Sequence, residues 1–264
     1  MLRKSFLMGS LVLLAACTTV PITGRRQLSL VGDGEMNSLA ATQYKQVLSQ
    51  SRLSSNASEN AMVKRVGQRI QQAVETYFRQ QNASEQLNGY QWEFNVIDDA
   101  KTQNAWCMPG GKVAVYTGIL PITQDENGLA VVMGHEIAHA VAKHGSERMS
   151  QGLVQQLGGA ALSVALSSNA PATQQLALQA FGVGSSLGVL KFGRNQESEA
   201  DHLGLIFMAM AGYNPETAIG FWQRMDAKGG PSQPEFLSTH PSNGTRVADI
   251  ERELPEAKKY YRPR

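Results

Sequence analysis

The sequence lacks three features that would assign it to a common functional class. Its 24 basic and 22 acidic side chains leave a formal net charge of only +2, with no basic patch of the kind that nucleic acid requires. No unbroken apolar run reaches the roughly 20 residues that a membrane-spanning helix needs. Only two cysteines are present, Cys17 and Cys107, so a disulfide-rich scaffold is excluded.

The N-terminus has the pattern of a bacterial lipoprotein signal peptide. Arg3 and Lys4 form a short positive start, and the apolar segment 6–16 that follows is too short to span a bilayer. This segment ends in Leu-Ala-Ala-Cys17, which matches a bacterial lipobox. We expect residues 1–16 to be removed and Cys17 to be diacylated, so that palmitate-type chains anchor the protein. A plain signal peptide followed by an incidental cysteine is the alternative.

The lipobox also predicts the compartment and the state of the second cysteine. Thr18 rather than aspartate follows Cys17, and this resembles the sorting signal of outer-membrane lipoproteins, although it does not specify the leaflet. We expect a lipid-anchored protein that faces the periplasm. Residues 1–16 hold two of the basic and none of the acidic residues, so the chain from Cys17 is formally neutral. With Cys17 acylated, Cys107 has no partner and is predicted to be a small buried residue, with a redox or metal-blocking role as the alternative.

One pentapeptide carries most of the chemistry, His135-Glu136-Ile137-Ala138-His139. Residues four apart lie on one face of a helix, so both imidazoles can bind a single Zn²⁺. Glu136 then lies beside the open coordination position, where it can take a proton from a metal-bound water. The surrounding residues 127–142 are apolar and lack proline, which predicts a buried helix. An ordinary helix with two satisfied histidines is the alternative.

A third metal ligand is predicted downstream. Metzincins place a third histidine six residues after the second, and Gly145 occupies that position here. Residues 195–211 are predicted to form a second helix, on which Glu197 and Asp201 share a face. This arrangement suits a gluzincin, in which Glu197 binds the zinc and Asp201 accepts the free N–H of a ligand histidine. An acidic helix start capped by Asn195 is the alternative.

Two nearby polar side chains are expected to stay outside this site. His144 follows His139 by five residues, about 140° around a continuous helix, and is predicted to be a structural or surface histidine. Glu199 projects about 200° away from Glu197 and is predicted to be solvated.

Further motifs occur around this pair of helices in a consistent order. They are residues 21–30 (PITGRRQLSL), 104–120 (NAWCMPGGKVAVYTGIL), 195–201 (NQESEAD) and 239–246 (THPSNGTR). Together with the H-E-x-x-H helix they resemble peptidase family M48, which contains the CAAX prenyl proteases and the HtpX-type and OMA-type proteases. The resemblance implies that His135, His139 and Glu197 bind one zinc ion and that Glu136 is the general base. It also implies that His240 and Arg246 line the site.

His240 can act in two ways that predict opposite results. Its imidazole can donate a hydrogen bond to the oxyanion of the transition state, where Arg246 helps to hold negative charge. It can instead bind the open position of the zinc and displace the water, which would give a self-inhibited resting state. From the sequence we favour the first role.

The remaining pattern predicts one mainly helical α+β domain over residues 31–264, with a small sheet beside the two-helix zinc site. Residues 17–30 are predicted to be a lipidated tether. Further helices are predicted at 35–48, 60–81, 215–227 and 244–254, and strands at 90–97 and 112–116. By analogy with gluzincins, the second strand is expected to be an edge strand to which substrate peptide adds. Its residues are Lys112, Val113, Ala114, Val115 and Tyr116.

Residues 152–190 are rich in small and apolar residues with almost no charge. Polar residues and a proline interrupt this segment, so a membrane span is not favoured, although the corresponding region spans the bilayer in membrane-embedded M48 relatives. We expect a helical hairpin that covers the cleft as a mobile lid.

These features predict a zinc-dependent endopeptidase of the bacterial envelope. The family resemblance implies unfolded or misassembled envelope proteins as substrates. A zinc-containing chaperone or adaptor with latent peptidase activity is the alternative, since the presence of catalytic residue types does not establish turnover. The sequence has no specificity pocket that we can identify and leaves the oligomeric state open.

Overall fold

The computed structural model describes residues 17–20, 23–157, 176, 180–181, 193–228, 235–240 and 245–263. Within these ranges the protein is mainly helical and carries two small sheets, so the predicted α+β class is confirmed. The predicted signal peptide, residues 1–16, lies outside the described residues.

The elements follow the predicted order. The strands are β1 (Cys17–Thr19), β2 (Arg26–Leu28), β3 (Glu93–Ile97), β4 (Ala105–Met108) and β5 (Lys112–Tyr116). The helices are α1 (Asp33–Gln50), α2 (Ala57–Gln80), α3 (Leu120–Thr123), α4 (Glu126–Val141), α5 (His144–Leu157), α6 (Arg194–Met210), α7 (Thr217–Asp226), α8 (Glu235–Thr239) and α9 (Arg246–Tyr260). Each helix predicted outside 152–190 coincides with an observed one, except that α9 continues through Pro255 to Tyr260 instead of ending at Leu254.

Helix α4 forms the centre of the domain. Every residue from Gly128 to Val141 is buried, as its mostly apolar, proline-free sequence predicts. Asp125 begins the helix, because its carboxylate accepts a hydrogen bond from the backbone nitrogen of Gly128 at 2.8 Å. The helix packs against α6, α2, α7 and β4, so the H-E-x-x-H segment is enclosed on all sides by other elements.

Two glycines let α4 and α6 approach closely. A Cβ atom at Gly134 would lie 3.0 Å from the carbonyl oxygen of Gly204, and one at Gly204 would lie 2.9 Å from the backbone nitrogen of His135. A larger residue at either position would push the helices apart. The close approach therefore lets His135 on α4 and Glu197 on α6 reach one site.

The three-stranded sheet has the order β3-β5-β4. Strand β5 pairs in parallel with β3 and antiparallel with β4, so both of its backbone edges are used. The prediction that Lys112–Tyr116 is an edge strand open to substrate is therefore wrong. Gly110 and Gly111, both at φ +79°, allow the turn that folds β4 back onto β5. Strand β4, which packs against α4, is the edge strand on the zinc-helix side.

Within the segment predicted to be a lipidated tether, the described residues form a β-hairpin. Strands β1 and β2 are antiparallel, with Cys17 opposite Leu28. Gly24 has φ +72°, a left-handed conformation that favours glycine, and its N–H donates to the carbonyl oxygen of Val20 at 2.8 Å. Val20 is buried and β2 contacts α5, so this segment is part of the folded domain.

The predicted lid at 152–190 lies mostly outside the described residues. Its first residues complete α5, and Leu176, Ala180 and Phe181 are buried in one apolar cluster with Met149 and Leu153 of α5. Among the helices that the structure describes, none combines the length and the apolar character needed to cross a bilayer.

Candidate metal centre

Four buried side chains from three parts of the chain converge on one point, His135 and His139 of α4, Glu197 of α6 and His240 after α8. His135 Nε2 lies 3.0 Å from His139 Nε2 and 3.2 Å from His240 Nδ1. Glu197 Oε1 lies 2.9 Å from His240 Nδ1 and 3.4 Å from His139 Nε2. The three candidate ligands predicted from the sequence are therefore brought together, and His240 joins them.

The donor set fits a zinc ion. Three imidazole nitrogens and one carboxylate oxygen are ligands that Zn²⁺ takes in tetrahedral geometry. None of the four side chains belongs to a residue more than 5 % exposed, and burying so many titratable groups is costly unless a cation or hydrogen bonds compensate. All candidate ligand atoms lie within 4.8 Å of one another, a spread that suits a single ion.

A carboxylate orients the first candidate ligand, as the sequence predicts. His135 Nδ1 lies 2.9 Å from Asp201 Oδ1, so Nδ1–H can donate to Asp201 while Nε2 faces the cluster. Burial alone would lower the pKa of His135, but the hydrogen bonds to Asp201 and Glu197 raise it to about 9. Burial and the neighbouring His135 instead hold the pKa of His139 well below its ordinary value.

Arg246 lies behind the candidate ligands. Its Nη1 donates to Glu197 Oε2 at 3.0 Å and its Nη2 donates to Asp201 Oδ1 at 2.7 Å. The guanidinium carbon lies 3.4 Å from the centre of the Trp222 ring, a cation–π contact. Burial would raise the pKa of Glu197, but the charges of His240 and Arg246 hold it well below the ordinary value. Arg246 therefore contacts site residues and neutralises their carboxylates.

Glu136 is placed to act as a base. It is 2 % exposed, and burial raises its pKa. Its Oε1 accepts no hydrogen bond from the residues that the structure describes, although His240 Nε2 lies 3.3 Å away. A desolvated carboxylate with a raised pKa beside the cluster has the properties of a general base.

Aromatic side chains hold His240 in place. The Phe236 ring stacks on the imidazole with centroids 4.6 Å apart at 22°, and the backbone nitrogen of Phe236 donates to Gln103 O at 3.2 Å. Helix α8 is thereby fixed beside the start of β4. Phe236 and Trp222 had no distinguishing signal in the sequence, because an aromatic residue on a short helix usually belongs to the core.

His144 is a buried structural histidine, one of the two roles that the sequence predicts, but it lies closer to the candidate ligands than the predicted direction implies. Its Nδ1 lies 2.8 Å from His139 Nδ1 and it is fully buried. The angular argument assumed one continuous helix. Helix α4 instead ends at Val141, and Lys143 takes a left-handed conformation at φ +59°. Helix α5 therefore begins in a new direction, which places His144 against His139.

Glu199 is also buried rather than solvated, at 7 % exposure. Its Oε2 accepts from His144 Nε2 at 2.8 Å and from Arg25 Nε at 2.6 Å. Burial would raise the pKa of Glu199, but the hydrogen bonds from His144, Thr23 and Arg25 lower it to about 2. Glu199 does point away from Glu197, but the opposite face of α6 is covered by α5 and the hairpin instead of by solvent.

Cys107 is buried on β4, as the sequence predicts, and its thiol lies 3.6 Å from Met108 O. Burial raises its pKa well above the ordinary value. The thiol is therefore neutral and poorly reactive.

Comparisons with known proteins agree with this geometry. The model of Peptidase family M48 matches residues 64–254. The chain is 36% identical to the mitochondrial metalloendopeptidase OMA1 of Schizosaccharomyces pombe over 90% of this chain and 66% of that protein. It is 31% identical to human metalloendopeptidase OMA1, over 90% and 46% respectively. It is 30% identical to the beta-barrel assembly-enhancing protease of Escherichia coli, over 55% and 31%. The chain thus spans between about one third and two thirds of the length of these relatives.

Proposed function

The chain belongs to peptidase family M48, and we propose that it is a zinc-dependent endopeptidase anchored in the bacterial cell envelope. One observation carries the enzymatic part of this proposal. Glu136 lies on α4 between the candidate ligands His135 and His139, and its Oε1 accepts no hydrogen bond from any described residue. A buried carboxylate oxygen that accepts no hydrogen bond from the described residues, with His240 Nε2 nearby at 3.3 Å, is placed to accept the proton of a reacting water.

We assign the roles as follows. His135, His139 and Glu197 hold the zinc, which when bound polarises the scissile carbonyl and acidifies the attacking water. Glu136 accepts the proton of that water and returns it to the leaving amine. Asp201 and Arg246 keep the ligands in their orientation and charge state. His240 lies against both the ligands and Glu136, so it controls access to the reacting position.

We propose that an extended substrate segment adds to β4 rather than to β5. Peptide strands bind proteins by pairing with an exposed sheet edge, and β5 has no free edge. Among the described strands, β4 is the edge strand that contacts α4. Its four residues are buried, so a substrate segment would have to displace what covers this edge. A segment paired with Ala105–Met108 would therefore run beside the helix that carries Glu136.

The envelope location rests on the lipobox at Cys17. Acylation of Cys17 would place Arg25, eight residues later, within about 30 Å of the membrane surface even for a fully extended chain. The hairpin is connected to the zinc site, because Arg25 contacts Glu199, which in turn contacts His144 beside His139. The site would then lie close to proteins at the membrane. We propose unfolded or misassembled envelope proteins as substrates and the periplasmic side of the outer membrane as the location.

Cleavage of an unfolded protein tests the enzymatic proposal. The purified full chain, loaded with zinc, is expected to cleave casein, and a chelator is expected to stop the reaction. Readdition of zinc should restore it. Binding of casein without cleavage would contradict the proposal and favour a chaperone or adaptor.

A further inference from the structure

We infer that the N-terminal hairpin positions the metal ligand His139, and that Arg25 is the residue through which it does so. The inference rests on the proposed zinc site. Arg25 touches none of the four candidate ligands in the described contacts, so it would act through Glu199 and His144 as a positioning residue. The motif at residues 21–30, which the peptidase mechanism leaves unused, would thereby gain a role.

Two hydrogen bonds connect His139 to Glu199 through the buried ring of His144. His139 presents Nε2 to the cluster, so its Nδ1 carries the proton and donates to His144 Nδ1, 2.8 Å away. His144 must then carry its own proton on Nε2, which donates to Glu199 Oε2 at 2.8 Å. Only this assignment of protons satisfies both distances with neutral imidazoles.

Further hydrogen bonds connect Glu199 to the hairpin. Arg25 Nε donates to Glu199 Oε2 at 2.6 Å, and the hydroxyl of Thr23 donates to Glu199 Oε1. The other arm of the guanidinium donates through Nη1 to Glu147 Oε2 at 2.9 Å. Because Glu199 lies on α6 and Glu147 on α5, the fork of one arginine fixes both helices that flank His139.

The backbone of the hairpin places Thr23 and Arg25 so that both side chains reach Glu199. The turn at Gly24 separates Thr23 from Arg25, and Val20 N donates to Arg25 O at 2.8 Å. Arg25 Nη2 also donates to Gln27 Oε1 at 3.1 Å on β2, which restrains the guanidinium. The left-handed backbone at Gly24 thus places neighbouring residues on the same carboxylate.

The two ligand histidines have matching supports. His135 donates to Asp201, which Arg246 of α9 neutralises. His139 donates through His144 to Glu199, which Arg25 neutralises. Outer contacts of this kind orient the ligand ring and make it more basic. The two supports differ in origin, because Arg25 comes from the hairpin that begins at Cys17. Packing of this hairpin against the domain would therefore be coupled to metal binding.

Zinc affinity of the full chain tests this inference without reference to catalysis. We expect Arg25→Ala to weaken zinc binding by about tenfold, the lower end of the effect of removing an outer contact, as measured by competition with a fluorescent chelator. Arg25→Lys should recover part of the affinity, since it keeps the charge beside Glu199 but loses the fork to Glu147. Arg26→Ala is the matched control, because Arg26 is exposed on β2 and should leave affinity unchanged.

A double-mutant cycle separates positioning from simple stabilisation. If Arg25 acts through Glu199, Arg25→Ala should weaken zinc binding by less than about twofold in a Glu199→Gln background. A lowered melting temperature of Arg25→Ala with unchanged zinc affinity would overturn the inference. If Arg25→Ala does not fold, unchanged zinc affinity in Glu199→Gln overturns it equally, since Arg25 is inferred to act through Glu199.

The same measurements distinguish this inference from the proposed function. Zinc affinity that depends on Arg25, in a protein that cleaves no substrate, would support the inference and contradict the peptidase proposal. Zinc-dependent cleavage with an affinity that is indifferent to Arg25 would do the reverse.

Discussion

His240 Nδ1 lies 2.9 Å from Glu197 Oε1, and the other nitrogen of the same ring lies 3.3 Å from Glu136 Oε1. One imidazole therefore contacts both a candidate zinc ligand and the candidate general base. Nδ1 lies among the candidate ligand atoms. This arrangement suits the role in which His240 binds the open position of the zinc and displaces the water. An oxyanion donor would instead have to leave the ligand cluster and face the substrate carbonyl.

We predict that His240→Ala raises the basal cleavage of casein with zinc retained. Removal of the imidazole frees the reacting position, and an increase on the order of tenfold follows if about one molecule in ten is open at rest. Initial rates and zinc content of the two proteins provide the measurement. A fall in kcat by 10²–10³ would assign His240 to the oxyanion instead, and an unchanged rate would remove it from the site.

Arg246→Ala should destabilise the metal-free protein by about 3–5 kcal/mol, because it leaves the buried carboxylates of Glu197 and Asp201 without their common partner. Urea unfolding in the presence of a chelator measures this free energy. Arg252→Ala is the control on the same helix, since its pair with Asp249 is exposed to solvent and should contribute little to stability. Equal effects of the two substitutions would contradict the buried role of Arg246.

Zinc affinity should rise with pH well beyond the ordinary titration range of histidine. The pKa of His135 in the metal-free fold is raised from 6.5 to about 9. Protonated His135 therefore stabilises the metal-free protein fully below pH 6.5, and this stabilisation is lost as pH rises through about 9. Zinc competes with that proton, so apparent affinity should increase by up to about tenfold per pH unit across this window.

Competition with a chelator at several pH values measures this dependence. Asp201→Asn removes the charge that raises the pKa of His135, so its affinity should level off at a lower pH. An affinity that is constant above pH 7 in the unsubstituted protein would show that His135 is not protonated in the metal-free fold.

Cys17→Ser should release the protein from the membrane. Without a lipid chain the remaining attachment is electrostatic or absent, and a salt wash should extract the variant. Fractionation of cells that express each form, with mass spectrometry of the N-terminal peptide, gives the result. If the variant still requires detergent, residues 152–190 contact lipid and the lid prediction fails.

The local part of the site could be predicted from the sequence. The spacing of His135 and His139 and the periodicity of α6 depend only on helix geometry, which is fixed within a few residues. The same periodicity placed Glu197 and Asp201 on one face, and the likeness to gluzincins then predicted the pairing of Asp201 with a ligand histidine. The structure places these side chains as the pattern predicts.

What the sequence could not predict depends on distant contacts or on a single backbone angle. The central position of Lys112–Tyr116 follows from its pairing with β4 and β3, which no local pattern specifies. His144 lies against His139 because the backbone of Lys143 is left-handed. A lysine does not predict that conformation, which is uncommon for residues other than glycine, asparagine and aspartate. The burial of Glu199 depends on Arg25, which lies 174 residues away in the sequence.

The zinc content and casein cleavage of Glu136→Gln test the central claim most directly. The substitution leaves the three proposed ligands in place and removes only the base, so the variant should retain one zinc ion per chain, like the unsubstituted protein, and lose nearly all cleavage. Glu197→Ala, made in parallel, should lose the metal together with activity. Loss of zinc from Glu136→Gln would make Glu136 a ligand rather than the base, and retained cleavage would contradict the proposed mechanism altogether.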